Sequence, residues 1–154
     1  MSVATADRRR GMTLIEVMVV VVILAILAVA AYPSYLDHVR GTRRADARQA
    51  LMSLASAMER HHGRHLSYEG AAAGGGETGT PGIFAGEAPL DGKRKYYDLR
   101  ITSASVDDYT LRALPKNGQE GDGLLQVTAD GSRAWDRDGD GGIDASERCW
   151  DRKC

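Results

Sequence analysis

Five carboxylates recur at regular spacing along one short segment near the C-terminus. Residues 136–147 read Asp-Arg-Asp-Gly-Asp-Gly-Gly-Ile-Asp-Ala-Ser-Glu, with acidic side chains at positions 1, 3, 5, 9 and 12 of the segment. A glycine stands at position 6, where a metal-binding loop of this kind turns sharply, and an isoleucine stands at position 8. This is the pattern of the EF-hand loop, and it predicts a Ca²⁺ site.

The spacing gives each predicted ligand a role. The first three aspartates can converge on one cation, a backbone carbonyl adds an oxygen, the fourth aspartate acts directly or through a water, and the glutamate closes the shell with two oxygens. Without a cation these carboxylates would repel one another, so Ca²⁺ would both neutralise and order the loop. The alternative is a solvated acidic loop. The predicted ligands are Asp136, Asp138, Asp140, Gly142, Asp144 and Glu147.

The segment before this acidic loop has the pattern of a strand, which predicts that the helix that usually enters an EF-hand is missing. We therefore expect coordination without the opening of a calcium sensor. The expected affinity is that of extracellular calcium modules, with dissociation constants of about 10⁻⁴–10⁻³ M.

Two cysteines follow the acidic loop directly, and the chain has no others. Cys149 and Cys154 can close a small disulfide ring if this end of the chain meets an oxidising compartment. Free or intermolecular thiols remain the alternative, because spacing alone determines no pairing. Since the ring and the acidic loop are adjacent, we hypothesise that together they tether the C-terminal region.

A long apolar segment near the N-terminus is the strongest structural signal in the chain. Residues 17–31 are all Val, Ile, Leu, Met or Ala, and no charged side chain occurs between residues 17 and 36. A helix of this length spans about 30 Å, the thickness of the hydrocarbon core of a bilayer. Three arginines at residues 8–10 precede the segment and predict a cytoplasmic N-terminus.

A carboxylate at the start of this apolar segment is the anomaly that requires explanation. Glu16 lies inside the predicted membrane helix, where a charged side chain costs about 2.5–3.5 kcal/mol at the bilayer centre and less near an edge. A secretory signal peptide would place a small-residue cleavage site after the apolar segment, and none is found there. The informative residues lie before it, in the sequence Gly-Met-Thr-Leu-Ile-Glu from Gly11 to Glu16.

This hexapeptide resembles the leader signal of type IV prepilins, and residues 32–60 are similar to minor pilins of type IVa pili. The resemblance implies that prepilin peptidase cleaves between Gly11 and Met12 and that the new amine of Met12 is then methylated. Met12 departs from the phenylalanine usual in the family. Pro33 falls where type IVa pilins carry a helix-kinking proline.

The resemblance also implies a role for Glu16, which becomes the fifth residue of the mature chain. In a filament it would pair with the methylated ammonium group of a neighbouring subunit. This pairing would neutralise a charge inside an apolar bundle and set the axial register, because an unpaired buried charge is strongly unfavourable. The alternative is a glutamate that extends toward the lipid headgroups.

The helical pattern continues beyond the apolar segment. Ala47, Leu51, Leu54 and Met58 recur at helical spacing and predict a stripe that packs on a sheet. Gly63 is the predicted end of the helix. The predicted regions are a cleaved basic leader (1–11), a transmembrane and assembly helix (12–36), an amphipathic helix half (37–62) and a globular head (63–154).

The predicted head begins with a loop rich in glycine and alanine and continues with alternating strands. Apolar and polar residues alternate in 97–102 and 109–114, and segments 125–128 and 132–135 flank an Asp-Gly turn. One helix stripe against about four antiparallel strands gives an α+β fold. The resemblance implies the pilin fold, with one long N-terminal helix whose first half spans the membrane.

Two further groups of residues favour ordinary structural interpretations. His61, His62 and His65 include a pair one helical turn apart, but a polar helix end is favoured over a metal site because no cysteine or carboxylate ligand is evident. The basic run over residues 40–48 is favoured as a solvated helix face over a binding site for lipid, nucleic acid or an acidic partner.

Composition and motifs narrow the class of function. The chain of 154 residues carries 20 Lys and Arg against 21 Asp and Glu, which is unlike a general nucleic-acid binder. No phosphate-binding glycine loop, paired Cys/His site or nucleophile elbow occurs, so we predict no enzyme and no organic cofactor. Three functions are compatible with the sequence. The first is a type IV pilus subunit that supports motility, adhesion or DNA uptake; the alternatives are a pseudopilin of type II secretion and a DNA- or ligand-binding tip pilin.

The resemblance implies a set of partners and a location. The expected partners are other pilin subunits, the prepilin peptidase/N-methyltransferase and an inner-membrane assembly platform, with nucleic acid left open. The chain is expected in the inner membrane of a Gram-negative bacterium as a single-pass protein. It would then move into an extracellular pilus fibre or a periplasmic pseudopilus.

Overall fold

The computed structural model describes residues 12–151. These residues form two compact units, which divide between His38 and Val39. A single helix, α1, extends over Leu14–His65 and contributes to both units. The predicted cleavage residue Gly11 and the predicted disulfide partner Cys154 lie outside the described residues.

The first unit is the apolar part of α1. Its side chains are exposed along the whole segment, and the helix is long and apolar enough to cross a membrane by length and composition. Pro33 lies inside the helix, which continues through it. An apolar helix surface of this extent requires lipid or another helix to cover it.

The C-terminal end of α1 differs from the predicted one. The helix continues past Gly63 to His65, and Leu66 then adopts a left-handed backbone with φ of 57°. The Leu66 amide donates to the carbonyl oxygen of His62 at 2.7 Å and closes the last turn. Gly63 adopts the helical conformation at a cost of about 1 kcal/mol. The predicted end of the helix at residue 62 is therefore three residues before the observed end at His65.

The second unit pairs the later part of α1 with a five-stranded sheet. All neighbouring strands are antiparallel, in the order β1-β2-β3-β4-β5. The four predicted strands are present, and the additional strand is a two-residue segment paired with the start of β2. The strands are β1 Glu87–Ala88, β2 Tyr97–Ala104, β3 Tyr109–Pro115, β4 Leu125–Thr128 and β5 Arg133–Trp135.

The core lies between α1 and one face of this sheet. Every residue of the predicted stripe is fully buried, and the inward residues of β2, β3 and β4 alternate with half-exposed ones. Burying a Leu or Met side chain contributes about 1.5–3 kcal/mol. This packing confirms the predicted α+β fold. The fully buried side chains from the two layers include Leu51, Leu54, Met58, Leu99, Ile101, Leu111, Leu125 and Val127.

The glycine-rich segment between α1 and β2 is more ordered than its composition suggests. Ala71 and Ala72 are buried in the core, and backbone bridges join Ala72 to Pro81 and Gly79 to Ile101. Small side chains allow these backbones to approach one another, and the bridges provide partners for their amides and carbonyls.

Candidate functional site

The first turn of α1 contains the predicted assembly residue. The amide of Glu16 donates to the hydroxyl oxygen of Thr13 at 3.4 Å, so Thr13 caps the helix at its first residues. Glu16 is exposed in the first turn, where a carboxylate is also favoured by the helix dipole. The structure thus places its side chain in the first turn of α1, exposed on the helix surface.

The acidic loop brings together three of its predicted ligands. Carboxylate oxygens of Asp136, Asp138 and Glu147 all lie within 4.8 Å of one another. Ca²⁺ binds oxygens at about 2.3–2.6 Å, so two ligands of one ion can be separated by up to about 5 Å. Asp136 and Glu147 are almost fully buried, at 1% and 4% exposure. The three oxygens therefore fit a hard cation such as Ca²⁺.

Backbone amides hold these carboxylates in place. Asp136 accepts hydrogen bonds from the amides of Gly139 and Gly141, at 2.7 and 3.0 Å. Glu147 accepts from the amides of Arg137 at 2.6 Å and Asp144 at 3.1 Å. The Asp144 and Arg137 amides lower the pKa of the Glu147 carboxyl, because they stabilise its charged form.

The other predicted ligands make local contacts in this structure. Asp140 accepts from the amide of Gly142 at 2.6 Å. Asp144 caps the short 3₁₀ helix Ala145–Glu147, and it forms a reciprocal capping box with Glu147. Asp140, Gly142 and Asp144 are thus outside the group of three, and the full predicted ligand set stays a prediction.

A buried ion pair anchors the sheet to α1 beside the acidic loop. Arg44 donates from Nε to Asp122 Oδ2 at 2.8 Å and from Nη2 to Asp122 Oδ1. The guanidinium carbon lies 3.7 Å from the ring centroid of Trp135, whose indole nitrogen donates to the carbonyl oxygen of Asp122 at 2.7 Å. Asp136 follows Trp135 directly, so the loop begins where this cluster ends.

Two polar side chains complete the cluster. The Tyr97 hydroxyl donates to Asp122 Oδ2 at 2.8 Å, and burial raises the pKa of this tyrosine. Gln119 is fully buried, and its amide nitrogen lies 2.8 Å from Asp122 Oδ2 and 3.1 Å from the carbonyl oxygen of Arg40. The cluster therefore joins α1, β2 and the β3–β4 connection.

Arg44 corrects the expectation that the basic run is a solvated helix face. It is 8% exposed, and its charge is compensated inside the protein. Arg44 stands three and seven residues before Ala47 and Leu51, on the buried face of the helix. This helical spacing could have predicted that Arg44 is buried, but the charge of its side chain favoured an exposed position.

A basic surface lies beside the β1 edge of the sheet. A concave region of about 650 Å³ is lined by Lys93, Arg94, Lys95, Lys116 and neighbouring residues. Lys116 is paired with Glu87 and Asp98, and Lys95 donates to the carbonyl oxygen of Pro89 at 2.7 Å. Lys93 and Arg94 are exposed and give this groove positive charge that faces solvent.

Comparisons with known proteins decide the family. A family model described as the type IV minor pilin ComP, a DNA uptake sequence receptor, matches residues 33–123, more than half of the chain. The chain belongs to this minor pilin family. A second model, the prokaryotic N-terminal methylation motif, matches residues 7–32. The predicted pilin identification is therefore confirmed.

Similarity to individual proteins is low. No protein with a curated description matches the chain. Among solved structures, the chain is similar to the crystal structure of the non-core minor pilin PilV from Neisseria meningitidis. The identity is 19%, the TM-score is 0.45, and the match covers 73% of this chain and 96% of that one.

Membership of the minor pilin family accounts for the exposed apolar helix. Pilins assemble with other pilins, and the methylation motif includes Gly11, Met12 and Glu16. The motif implies processing by a peptidase, whereas the bond cleaved and the role of each residue stay predictions. The predicted pairing of Cys149 with Cys154 also stays a prediction.

Proposed function

We propose that this minor pilin is a structural subunit of a type IV pilus. Prepilin peptidase cleaves it between Gly11 and Met12, and the apolar part of α1 holds it in the inner membrane until assembly. The observation that supports this proposal is the exposure of the apolar side chains of residues 14–36. Transfer from lipid into a bundle of similar helices keeps this surface covered throughout.

Glu16 directs the docking of each subunit in this proposal. Its exposed carboxylate pairs with the methylated ammonium group of Met12 in a neighbouring subunit. The pair forms in an apolar environment. Any other axial position of the subunit would leave the carboxylate of Glu16 without a partner charge, which is strongly unfavourable there. Pro33 lies in the helix beyond the apolar core and adjusts its path in the bundle.

The experiment compares Glu16→Val with Thr13→Val in cells that assemble fibres. Glu16→Val should insert in the membrane and be cleaved but be depleted from sheared surface fibres. Thr13→Val removes the cap without removing the charge, and it should enter the fibres. Normal incorporation of Glu16→Val would refute the register role.

The main alternative is a pseudopilin of a type II secretion system, which shares the processing signal. The match of residues 33–123 to a pilus minor pilin family favours the pilus. Recovery of the chain in sheared surface fibres supports this assignment. Recovery only in the periplasm, together with a secretion defect on deletion, would support the pseudopilin.

A second function, DNA binding, is favoured by the basic groove. The family model takes its description from a DNA uptake sequence receptor, and the exposed Lys93 and Arg94 of this chain can contact phosphates. The whole chain is near neutral, so binding would be local to the groove. A pilus carrying this subunit would then support DNA uptake.

Salt-dependent DNA binding by the full chain in detergent micelles tests this second function. Replacing Lys93 and Arg94 by Gln should weaken binding and lower the salt slope by about 1 per residue. Arg60→Gln, which removes an exposed cation on α1, is the matched control and should leave the slope unchanged. Equal slopes for all variants would exclude this groove as the DNA site.

We also propose that the acidic loop binds Ca²⁺ and stabilises the C-terminal part of the head. Asp136, Asp138 and Glu147 support this, because their oxygens already lie within the reach of one cation. Ca²⁺ would supply positive charge to the loop. The residues themselves contribute oxygens and, through Asp136 and Trp135, a direct connection to the Arg44 cluster.

A further inference from the structure

The end of α1 carries three histidines in its last five residues: His61, His62 and His65. The bond from the Leu66 amide to the His62 carbonyl closes the final turn at 2.7 Å, so the helical spacing persists to His65. Residues four apart on a helix lie on the same face, one turn above the other. The backbone therefore places His61 and His65 side by side.

The rings of these two histidines are in contact. Their centroids are 4.4 Å apart and their planes are tilted by 32°. His62 points elsewhere and stacks on Tyr68, with centroids also 4.4 Å apart. The structure thus separates one pair of imidazoles from a third that packs against the head. The sequence spacing alone does not establish this separation.

A backbone carbonyl orients one ring of the pair. His61 Nε2 lies 2.9 Å from the carbonyl oxygen of Glu69, which can only accept a hydrogen bond. In the neutral imidazole, Nε2 therefore carries the hydrogen and Nδ1 has the lone pair that a metal requires. Histidines that bind metals have this arrangement, in which the second nitrogen donates to a carbonyl or carboxylate. His65 is exposed, so a solvated ion can reach the pair.

We propose that His61 and His65 form a two-nitrogen site for a divalent transition-metal ion. Two histidines at positions i and i+4 of a helix can bind one metal, as in the zinc-binding helix of metalloproteases. A metal bonds imidazole nitrogen at about 2.0–2.1 Å, which rotation of the exposed His65 ring toward the oriented His61 ring can satisfy. Water fills the remaining coordination positions. Such a site binds Cu²⁺ more tightly than Ni²⁺ or Zn²⁺.

The test titrates CuSO₄ into the full chain in detergent micelles and measures binding by calorimetry and electron paramagnetic resonance. Wild-type protein should show a Cu²⁺ signal split by two imidazole nitrogens. His61→Gln and His65→Gln should each weaken this binding by at least about tenfold. His62→Gln is the matched control and should retain it. His38 and the N-terminal amine contribute the same background in all four proteins.

His65→Gln is the decisive variant, because an exposed side chain can be replaced without disturbing the core. Loss of the two-nitrogen signal in this variant, with an unchanged melting temperature in chelator, supports the site. Wild-type affinity in His65→Gln would overturn the proposal. Equal losses of Cu²⁺ affinity in His62→Gln and His65→Gln would also overturn it, because binding would then not be specific to the pair His61 and His65.

Discussion

Arg44 on α1 and Asp122 in the β3–β4 connection form a buried, two-point ion pair across 78 positions of sequence. Asp122 also accepts from the hydroxyl of Tyr97, while Arg44 lies over the ring of Trp135. The pair therefore holds the helix, the sheet and the start of the acidic loop in one arrangement. Both charges are satisfied by protein groups, so removing either leaves the other uncompensated.

Asp122→Ala should lower the free energy of unfolding by about 3–5 kcal/mol, because Arg44 is left buried without a partner. The measurement is denaturant unfolding of the full chain in detergent, followed by tryptophan fluorescence. Replacing both residues, with Met at position 44 and Ala at position 122, should cost less than the sum of the single changes.

The control for this ion pair is Lys116→Met. Lys116 pairs with Glu87 and Asp98 at a partly exposed site, so its loss should cost no more than about 1 kcal/mol. If Asp122→Ala were as mild as Lys116→Met, the proposed anchoring role of Arg44 and Asp122 would be wrong.

Gly123→Ala should disrupt the same region by a steric route. A Cβ at this position would lie 1.4 Å from the carbonyl oxygen of Asp136, and the backbone has φ of +78°. The two backbones must separate, so a loss of several kcal/mol is expected, beyond the cost of about 1–2 kcal/mol for the left-handed conformation. Thermal unfolding measures this difference.

Gly131→Ala supplies the comparison for Gly123→Ala. Gly131 has φ of +82°, and among the described residues no atom beyond its two chain neighbours lies within 4 Å of the position that an added methyl group would occupy, so only the conformational cost applies. Equal melting temperatures for the two variants would show that the approach of Asp136 to Gly123 has no role in stability.

Calcium should raise the melting temperature of the wild-type chain. With a dissociation constant of about 10⁻⁴–10⁻³ M, addition of about 10 mM Ca²⁺ stabilises the folded state by about 1.4–2.7 kcal/mol. Glu147→Gln should remove this increment, although it also weakens contacts with the loop amides. The quantity to compare is therefore the difference between melts with Ca²⁺ and with chelator.

Asp130→Asn is the matched control for the calcium experiment. It removes an exposed carboxylate of the β4–β5 turn, outside the acidic loop. Its calcium increment should equal that of the wild type. Superimposable wild-type curves with Ca²⁺ and with chelator would contradict a calcium-binding loop.

The two cysteines should be paired within one chain. Alkylation of the unfolded oxidised protein should leave both unmodified, and prior reduction should make both reactive. Non-reducing electrophoresis should show a monomer, because residues 149 and 154 close a short ring. Reactive thiols without reductant, or a disulfide-linked dimer, would disprove the pairing.

The residue pattern predicted more of the fold than of the contacts within it. Helical spacing identified Leu51, Leu54 and Met58 as the buried stripe, and alternation identified β2 and β3, because periodicity follows directly from which face meets the core. The Asp-Gly turn signal identified β4 and β5. The strand β1 was not predicted, because two residues are too few to show an alternating pattern of apolar and polar side chains. The end of α1 was missed because Leu66, a residue rarely found in the left-handed region, closes the helix.

The sequence alone was sufficient to predict the apolar helix, the alternating strands and the acidic loop, since each depends on residues close together in sequence. Tertiary structure alone decided that Arg44 meets Asp122 and that His61 is oriented by Glu69. It also decided which three of the acidic-loop carboxylates converge. The contact of Arg44 with Asp122 depends on how separate segments pack, and burial requires each polar group to find a partner that sequence spacing does not specify. The other contacts lie within short segments, but they depend on the folded path of the backbone, which spacing alone does not determine.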